Sequence, residues 1–311
     1  MIFRTLNKHK SFKESSDPQK HILKHIFLFA ANGNMGLYLR HKPKTIFFTL
    51  KKIIPIEDLK SDFVEKSLFN FYMNFLFVYF AINSISRMTK YAIIVAGGKG
   101  TRFGSDMPKQ FLPLKGIPVL MHTIAKFKSC KTQIIVVLPE SQIGIWKELC
   151  VTHNFNIPHT IIAGGHTRFH SVKNALDSIS PSEDDLIAVH DGVRPLVSTS
   201  IINEAYDTAS IHNSAIPATD VTDTIRQFNN DGTASATLNR ASLKAVQTPQ
   251  TFKAELLKRA YSLPYTDTFT DDASVVEATG HQVTLTKGDS NNIKITHAID
   301  LIIAEELIEN E

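Results

Sequence analysis

The residues of this chain best suited to chemistry gather around one glycine-rich run, Ala96-Gly97-Gly98-Lys99-Gly100-Thr101-Arg102-Phe103-Gly104, followed by Met107-Pro108-Lys109-Gln110. Glycines let a backbone fold closely around an anion with its N–H groups pointing inward, and Lys99, Arg102 and Lys109 add positive charge. A polyphosphate fits such a loop. A structural turn between a strand and a helix would use the same glycines, so these alone decide nothing. Two familiar phosphate loops do not match. A P-loop has Gly-Lys-Ser/Thr in that order, whereas Lys99 precedes Gly100. A dinucleotide fingerprint has two residues before its third glycine, whereas three separate Gly100 from Gly104.

Four further sets lie downstream: Gly164-Gly165-His166-Thr167-Arg168 with Ser171-Val172, His190-Asp191-Gly192-Val193-Arg194-Pro195, Thr248-Pro249-Gln250 and Asn292-Ile293-Lys294. They are rich in cations and glycines and contain no evident Ser-His-Asp or Cys-His arrangement. Asp191 and Arg194 would also make an ordinary ion pair bracing a turn. Asn-Ile-Lys-Ile would also make a strand with one outward lysine.

These sets must be positioned by regular elements, and the apolar pattern supplies them. Strands are expected at Tyr91 to Ala96, Gln133 to Leu138, Thr160 to Ala163, Leu186 to His190 and Ser214 to Ala218, with helices near 118–129, 142–152, 168–179 and 199–210 between them. That alternation is the rhythm of an α/β fold with a mostly parallel sheet. In the helix near 168, Phe169, Val172, Leu176 and Ile179 fall on one face. Asp191 then sits at the C-terminal end of a strand, where open α/β sheets bind ligands. After Ala218 the rhythm changes: Thr224 to Phe228 and Thr233 to Leu238 flank Asn229-Asn230-Asp231-Gly232, which predicts a hairpin projecting from the sheet. Helices near 253–262 and 271–279, a strand at Gln282 to Thr286 and a helix near 297–309 complete the expectation.

Charge and cysteine content narrow the function classes. Residues 1–87 hold 14 Lys/Arg against 6 Asp/Glu, leaving 20 against 24 for residues 88–311, so the formal +4 comes from the N-terminal segment alone. A mildly acidic main domain argues against nucleic acid as a partner. Two cysteines, Cys130 and Cys150, make neither a zinc set nor a disulfide framework, which points to the cytoplasm. Residues 1–87 show no clear period and suggest no fold. The aromatic stretch from Leu68 to Ile82 is shorter than the ~20 apolar residues of a membrane span and contains two Asn. A membrane anchor in this segment lacks a convincing helical moment. Met88, just before the first strand, looks like a natural translation start, with residues 1–87 a dispensable extension or an upstream misread start. The domain division expected is therefore 1–87 and 88–311, with the arm at about 220–245.

The Gly-Gly-x-Gly-Thr-Arg loop with Pro-Lys-Gln resembles the signature of sugar-nucleotide and polyol-phosphate nucleotidyltransferases. The four downstream sets, in order and spacing from about Tyr91 to the C-terminus, are similar to the 2-C-methyl-D-erythritol 4-phosphate cytidylyltransferase family. Ribitol 5-phosphate cytidylyltransferases share most of these motifs. Thr219-Asp220-Val221-Thr222-Asp223-Thr224 and Thr270-Asp271-Asp272-Ala273-Ser274 tilt the resemblance toward the methylerythritol enzymes. A nucleotide-binding regulator without turnover would have lost the charge-stabilising set, yet Arg102, Lys109 and Lys294 are all present.

The resemblance implies a Rossmann-like nucleotidyltransferase fold whose β-arm is exchanged across a homodimer. It implies CTP and a polyol phosphate as substrates, with Mg²⁺ as the divalent cation. Arg102, Lys109 and Lys294 would be catalytic, binding the CTP phosphates, with Lys294 arriving from the last strand. Ala96, Gly97, Gly98, Gly100, Gly164, Gly165, Ser171 and Asp191 would hold the nucleotide, and Asp191, Arg194, Thr224, Arg240 and Thr248 the acceptor. Thr224 and Arg240 would reach the neighbouring subunit from the arm. His166 stands where the family often has an acidic residue, which leaves that position between a site role and a solvated loop histidine. Such a transfer needs no general base, because the attacking group is already an ionised phosphate. The protein must neutralise charge and hold geometry.

Overall fold

The structure is a computed structural model that describes residues 26–31, 34–41, 44–50, 88–97, 107–229 and 231–309. Gly98, Lys99, Gly100 and Arg102 of the glycine loop, and the aromatic stretch at 68–82, lie outside the described residues. The chain divides into two units, Met1–Ile85 and Ser86–Glu311. The first contains an antiparallel meander, β1 (Ile26–Ala31), β2 (Asn34–His41) and β3 (Lys44–Leu50), where the sequence suggested no fold. No helix among the described residues is long and apolar enough to cross a membrane.

The second unit begins with β4 (Lys90–Val95), which lies between two parallel neighbours, β7 (Gln133–Leu138) and β9 (Leu186–Asp191). Parallel strands covered on both faces read as continuous apolar runs, and every residue of β9 is buried. Successive side chains of a strand alternate between faces. Ala92 and Ile94 accordingly join one core, with helices α1 (Val119–Ser129), α2 (Glu140–Thr152) and α4 (Thr199–His212). Tyr91 and Ile93 join the other, with α3 (Arg168–Asp177), α5 (Ala254–Ala260) and α6 (Asp272–Glu277). Helix α4 is started by the Ser198 side chain, which accepts from Ile201 N, and stopped at Asn213, whose φ of 67° is left-handed.

Parallel β8 (Thr160–Ala163) extends the sheet beyond β7. On the other side, β14 (Gln250–Lys253) runs antiparallel between β9 and β10 (Ser214–Asp220), an insertion that the sequence pattern did not anticipate. Strand β10 also pairs with β13 (Lys244–Val246) and with β15 (Leu285–Lys287). The hairpin is present as β11 (Arg226–Phe228) paired with β12 (Ser235–Thr237), and most described residues from 222 to 246 are exposed. The final helix α7 (Ala298–Glu309) contributes Ala304 to a third apolar cluster with Leu114, Val119, Val193, Leu196 and Ile295. That cluster pins the segment before α7, which carries Lys294. One expectation is corrected here: Lys294 lies on an irregular stretch rather than on a strand, and Ile295 N donates to Val193 O.

Candidate active site

The C-terminal ends of β4, β8 and β9 open into a cleft of about 430 Å³ lined by Ala96, Gly97, Lys109, Gly165, His166, Ser171, Asp191 and Lys294 among others. This size is ordinary for a small-molecule site, about 300–1,000 Å³. Lys109 is brought in by a short 3₁₀ turn, Lys109–Phe111. Its neighbour Gln110 is fully buried and donates to Ala96 O at 2.8 Å and to Gln142 Oε1 at 2.6 Å, fixing the strand end from which the glycine loop departs. Sequence reasoning quoted Gln110 without giving it this function. The close approach of β4 to the turn after β9 requires glycine at 192: a Cβ there would meet that of Ala96 at 2.9 Å.

Asp191 is the electrostatic centre. Its Oδ2 lies 3.0 Å from Lys294 Nζ and 3.2 Å from Arg194 Nε, and its Oδ1 lies 4.0 Å from Arg168 Nε. Burial works against ionisation of this carboxyl, but Lys294, Arg168 and Arg194 outweigh it and hold Asp191 well below the usual carboxylate range. Arg194 is also committed to Asn292 O at 2.7 Å, so the bracing ion pair foreseen as an alternative is present.

Behind Asp191 lies a neutral relay. Asp191 N donates to Thr248 Oγ1 at 3.1 Å, which pairs with His190 Nδ1 at 3.0 Å, while His190 Nε2 faces Arg194 O at 3.2 Å. Burial pushes His190 down to about 4. A neutral ring then donates from Nε2 and accepts from the Thr248 hydroxyl at Nδ1. Thr248, expected to contact the acceptor, thus spends its hydroxyl on the strand end.

The loop after β8 brings its backbone to the wall of the cleft. Thr167 caps α3 by accepting from His170 N. Ser171 Oγ donates to Thr167 O at 2.9 Å and accepts from Gly165 N at 3.1 Å. A Cβ on Gly165 would fall 2.4 Å from that of His170, so the turn tolerates no side chain there. His166 is exposed on the cleft rim, its ring 6.4 Å from that of His170. Thr224 and Arg240 are exposed on the arm and are not among the described residues lining the cleft.

The described residues include no cluster of three or more His, Cys, Asp or Glu suited to a metal ion. Among them, Asp191 is the one carboxylate on the cleft wall, and three cations already surround it. A protein-held metal cage therefore does not fit these residues. The arrangement can instead neutralise a bound polyanion and present backbone groups to a planar base.

Residues 90–310 match the family model for 2-C-methyl-D-erythritol 4-phosphate cytidylyltransferase. The chain is 52% identical to the enzyme of that name from Phocaeicola vulgatus and 50% identical to that from Bacteroides thetaiotaomicron. Each alignment covers 71% of this chain and 100% of the relative. Among solved structures it is similar to the same enzyme from Thermus thermophilus, at 29% identity and a TM-score of 0.57 over 71% of this chain and 100% of that one.

Proposed function

Because this chain belongs to the 2-C-methyl-D-erythritol 4-phosphate cytidylyltransferase family, we infer that the cleft beside Asp191 is where CTP meets the acceptor phosphate. The protein transfers CMP from CTP to 2-C-methyl-D-erythritol 4-phosphate, giving 4-diphosphocytidyl-2-C-methyl-D-erythritol and pyrophosphate, in isoprenoid precursor synthesis. A phosphate oxygen of the acceptor forms the new bond to the α-phosphorus of CTP. The bond from that phosphorus to the β-phosphate oxygen breaks, and pyrophosphate leaves with the electron pair.

The observation that carries the placement is the convergence of Lys294, Arg194 and Arg168 on one buried carboxylate at the end of β9. In our reading Lys109, Arg102 and Lys294 bind the phosphates, and Lys294 meets the charge that gathers on the α-phosphate. The Gly164–Gly165 turn and Ser171 hold the cytosine. Arg194 and Thr248 shape the acceptor side through Asp191. Thr224 and Arg240 complete that side from the arm of a second copy, in a cytoplasmic homodimer. Their exposure on either side of the projecting hairpin, away from the lining of their own cleft, supports that assignment. Mg²⁺ enters on the triphosphate, its shell filled largely by phosphate oxygens and water.

A pyrophosphate-release assay tests the reaction. CTP with 2-C-methyl-D-erythritol 4-phosphate is expected to release pyrophosphate, and CTP with ribitol 5-phosphate at the same concentration is not. Release with the ribitol substrate alone would overturn the acceptor assignment. The relatives are matched over their whole lengths by 71% of this chain, which supports a self-sufficient catalytic unit at 88–311. That segment, produced alone, is expected to keep kcat and both KM values within about twofold of the full chain, since it has its own apolar cores. A severe loss would make residues 1–87 part of the catalyst.

A further inference from the structure

Three motif residues have no assigned contact with either substrate, yet they meet behind the base loop. Arg168 opens α3 and lines the cleft, Gln250 opens β14, and Asp272 opens α6. Arg168 donates in a two-pronged fork to Asp272, with Nη1 to Oδ1 at 2.9 Å and Nη2 to Oδ2 at 2.6 Å. Tyr261 OH donates to the same Oδ1 at 2.6 Å. Asp272 is fully buried. Gln250 locks α6 in place, donating to Asp271 Oδ2 at 2.7 Å and accepting from Ala273 N at 2.9 Å.

Apolar side chains of similar volume often stabilise a fold as well as a buried ion pair does, because desolvation offsets much of the attraction. Stability is therefore a weak reason for an arginine held between Asp272 and the lip of the cleft. What the fork provides is direction: a planar guanidinium gripped at both tips has one orientation, which a lysine on the same stem would not have. The remaining edge of that guanidinium, Nε, faces Asp191 at 4.0 Å. Next to Arg168 in the chain are Thr167, which caps α3, and the Gly164–Gly165 turn, braced through Ser171.

We propose that Arg168 is a positioning residue: clamped on Asp272, it sets the height of the α3 N-terminus and the Gly164–Gly165 turn against Asp191, and so governs how tightly and selectively the nucleotide base is held. The proposal rests on the cytidylyltransferase reading and adds to it a determinant for nucleotide choice. It predicts damage confined to the nucleotide. The base meets the turn that Arg168 holds, whereas Asp191, which serves the acceptor side, keeps its closer partners Lys294 and Arg194 when Arg168 is changed.

The test uses the full chain with Arg168→Lys, Asp272→Asn, the double variant and Tyr261→Phe, measuring kcat, both KM values, activity with UTP in place of CTP, and thermal midpoint. KM for CTP is expected to rise about tenfold in each of the first two variants, the scale of a sub-ångström misplacement. The preference for CTP over UTP should fall, while KM for the acceptor stays within about twofold. The double variant should be no worse than the worse single one, because both break the same pair. Tyr261→Phe leaves the ion pair intact and should raise KM for CTP about two- to threefold, which keeps the proposal open to test if the first two variants do not fold. An unchanged KM for CTP and unchanged nucleotide preference in folded variants would overturn the proposal, as would an equal rise in both KM values. Failure of the unaltered chain to release pyrophosphate from CTP would instead refute the underlying reaction.

Discussion

Lys294→Ala is expected to lower kcat by roughly 10²- to 10³-fold, the range seen when one preorganised charge on a developing oxyanion is removed. Nζ of Lys294 is 3.0 Å from Asp191 Oδ2, and its side chain is 45% exposed toward the cleft, so it is anchored at one edge and open to a ligand at the other. Asp191 is buried and Lys294 is the first of the cations that hold it ionised, so some stability should be lost too, limited to about 1–2 kcal/mol because Arg194 and Arg168 stay in place. A large loss of rate with a modest fall in thermal midpoint is the expected combination. Arg in place of Lys restores charge but carries a planar fork where a point charge sits now, so it should recover only part of the rate. A Lys294→Ala protein whose kcat stays within about threefold of the starting value would remove Lys294 from the transition state.

The parallel half of the sheet was legible because its strands are buried on both faces. Burial of that kind forces uninterrupted runs such as Leu186–Asp191, whose bounds agree with expectation to within one residue. Strand β14 was not legible. Its four residues overlap the Thr-Pro-Gln motif, and an antiparallel strand slipped between parallel ones leaves no period to detect. Lys294 was placed on a strand because Asn-Ile-Lys-Ile alternates like one, whereas packing in the third cluster governs that segment. In the first unit Ala31 pairs with Asn34 on either side of Asn32-Gly33 in sequence, the dipeptide most favoured in tight hairpins, a signal obscured by the irregular Phe and Lys spacing around it. Within the site, the motifs brought Lys109, Gly165, Ser171, Asp191 and Lys294 to one cleft. The role of Arg168 was hidden because its partner Asp272 is 104 residues away, and nothing local in either segment announces the pair. Thr248 illustrates the opposite limit: expected to contact the acceptor, it is not among the described residues lining the cleft, and its side chain faces His190 and the Asp191 backbone.

Stability of the catalytic unit should fall as pH drops from about 6.5 to about 4, and His190 should be the main cause. Burial lowers the folded-state value of His190 to about 4, against 6.5 for an unperturbed histidine. Between those limits the unfolded chain carries a proton at this position and the folded chain does not, so acidification favours unfolding across that window and not below it. Each unit of difference is worth about 1.4 kcal/mol, which gives a loss on the order of 3 kcal/mol over the window. Asp191 acts in another range. Its carboxyl is held far below normal, so its contribution is intact throughout the window and is lost only as pH falls below the ordinary carboxylate value. The chain has a single tryptophan, Trp146, fully buried in the first core of this unit, so urea unfolding followed by its fluorescence reports on the right region. His190→Asn removes the titrating ring. It should be less stable at pH 7, because Thr248 and Arg194 O lose a partner, but its stability should vary much less between pH 4.5 and 6.5. Equal pH slopes for the two proteins would mean that His190 keeps its proton inside the fold, and the neutral relay behind Asp191 would then be wrong.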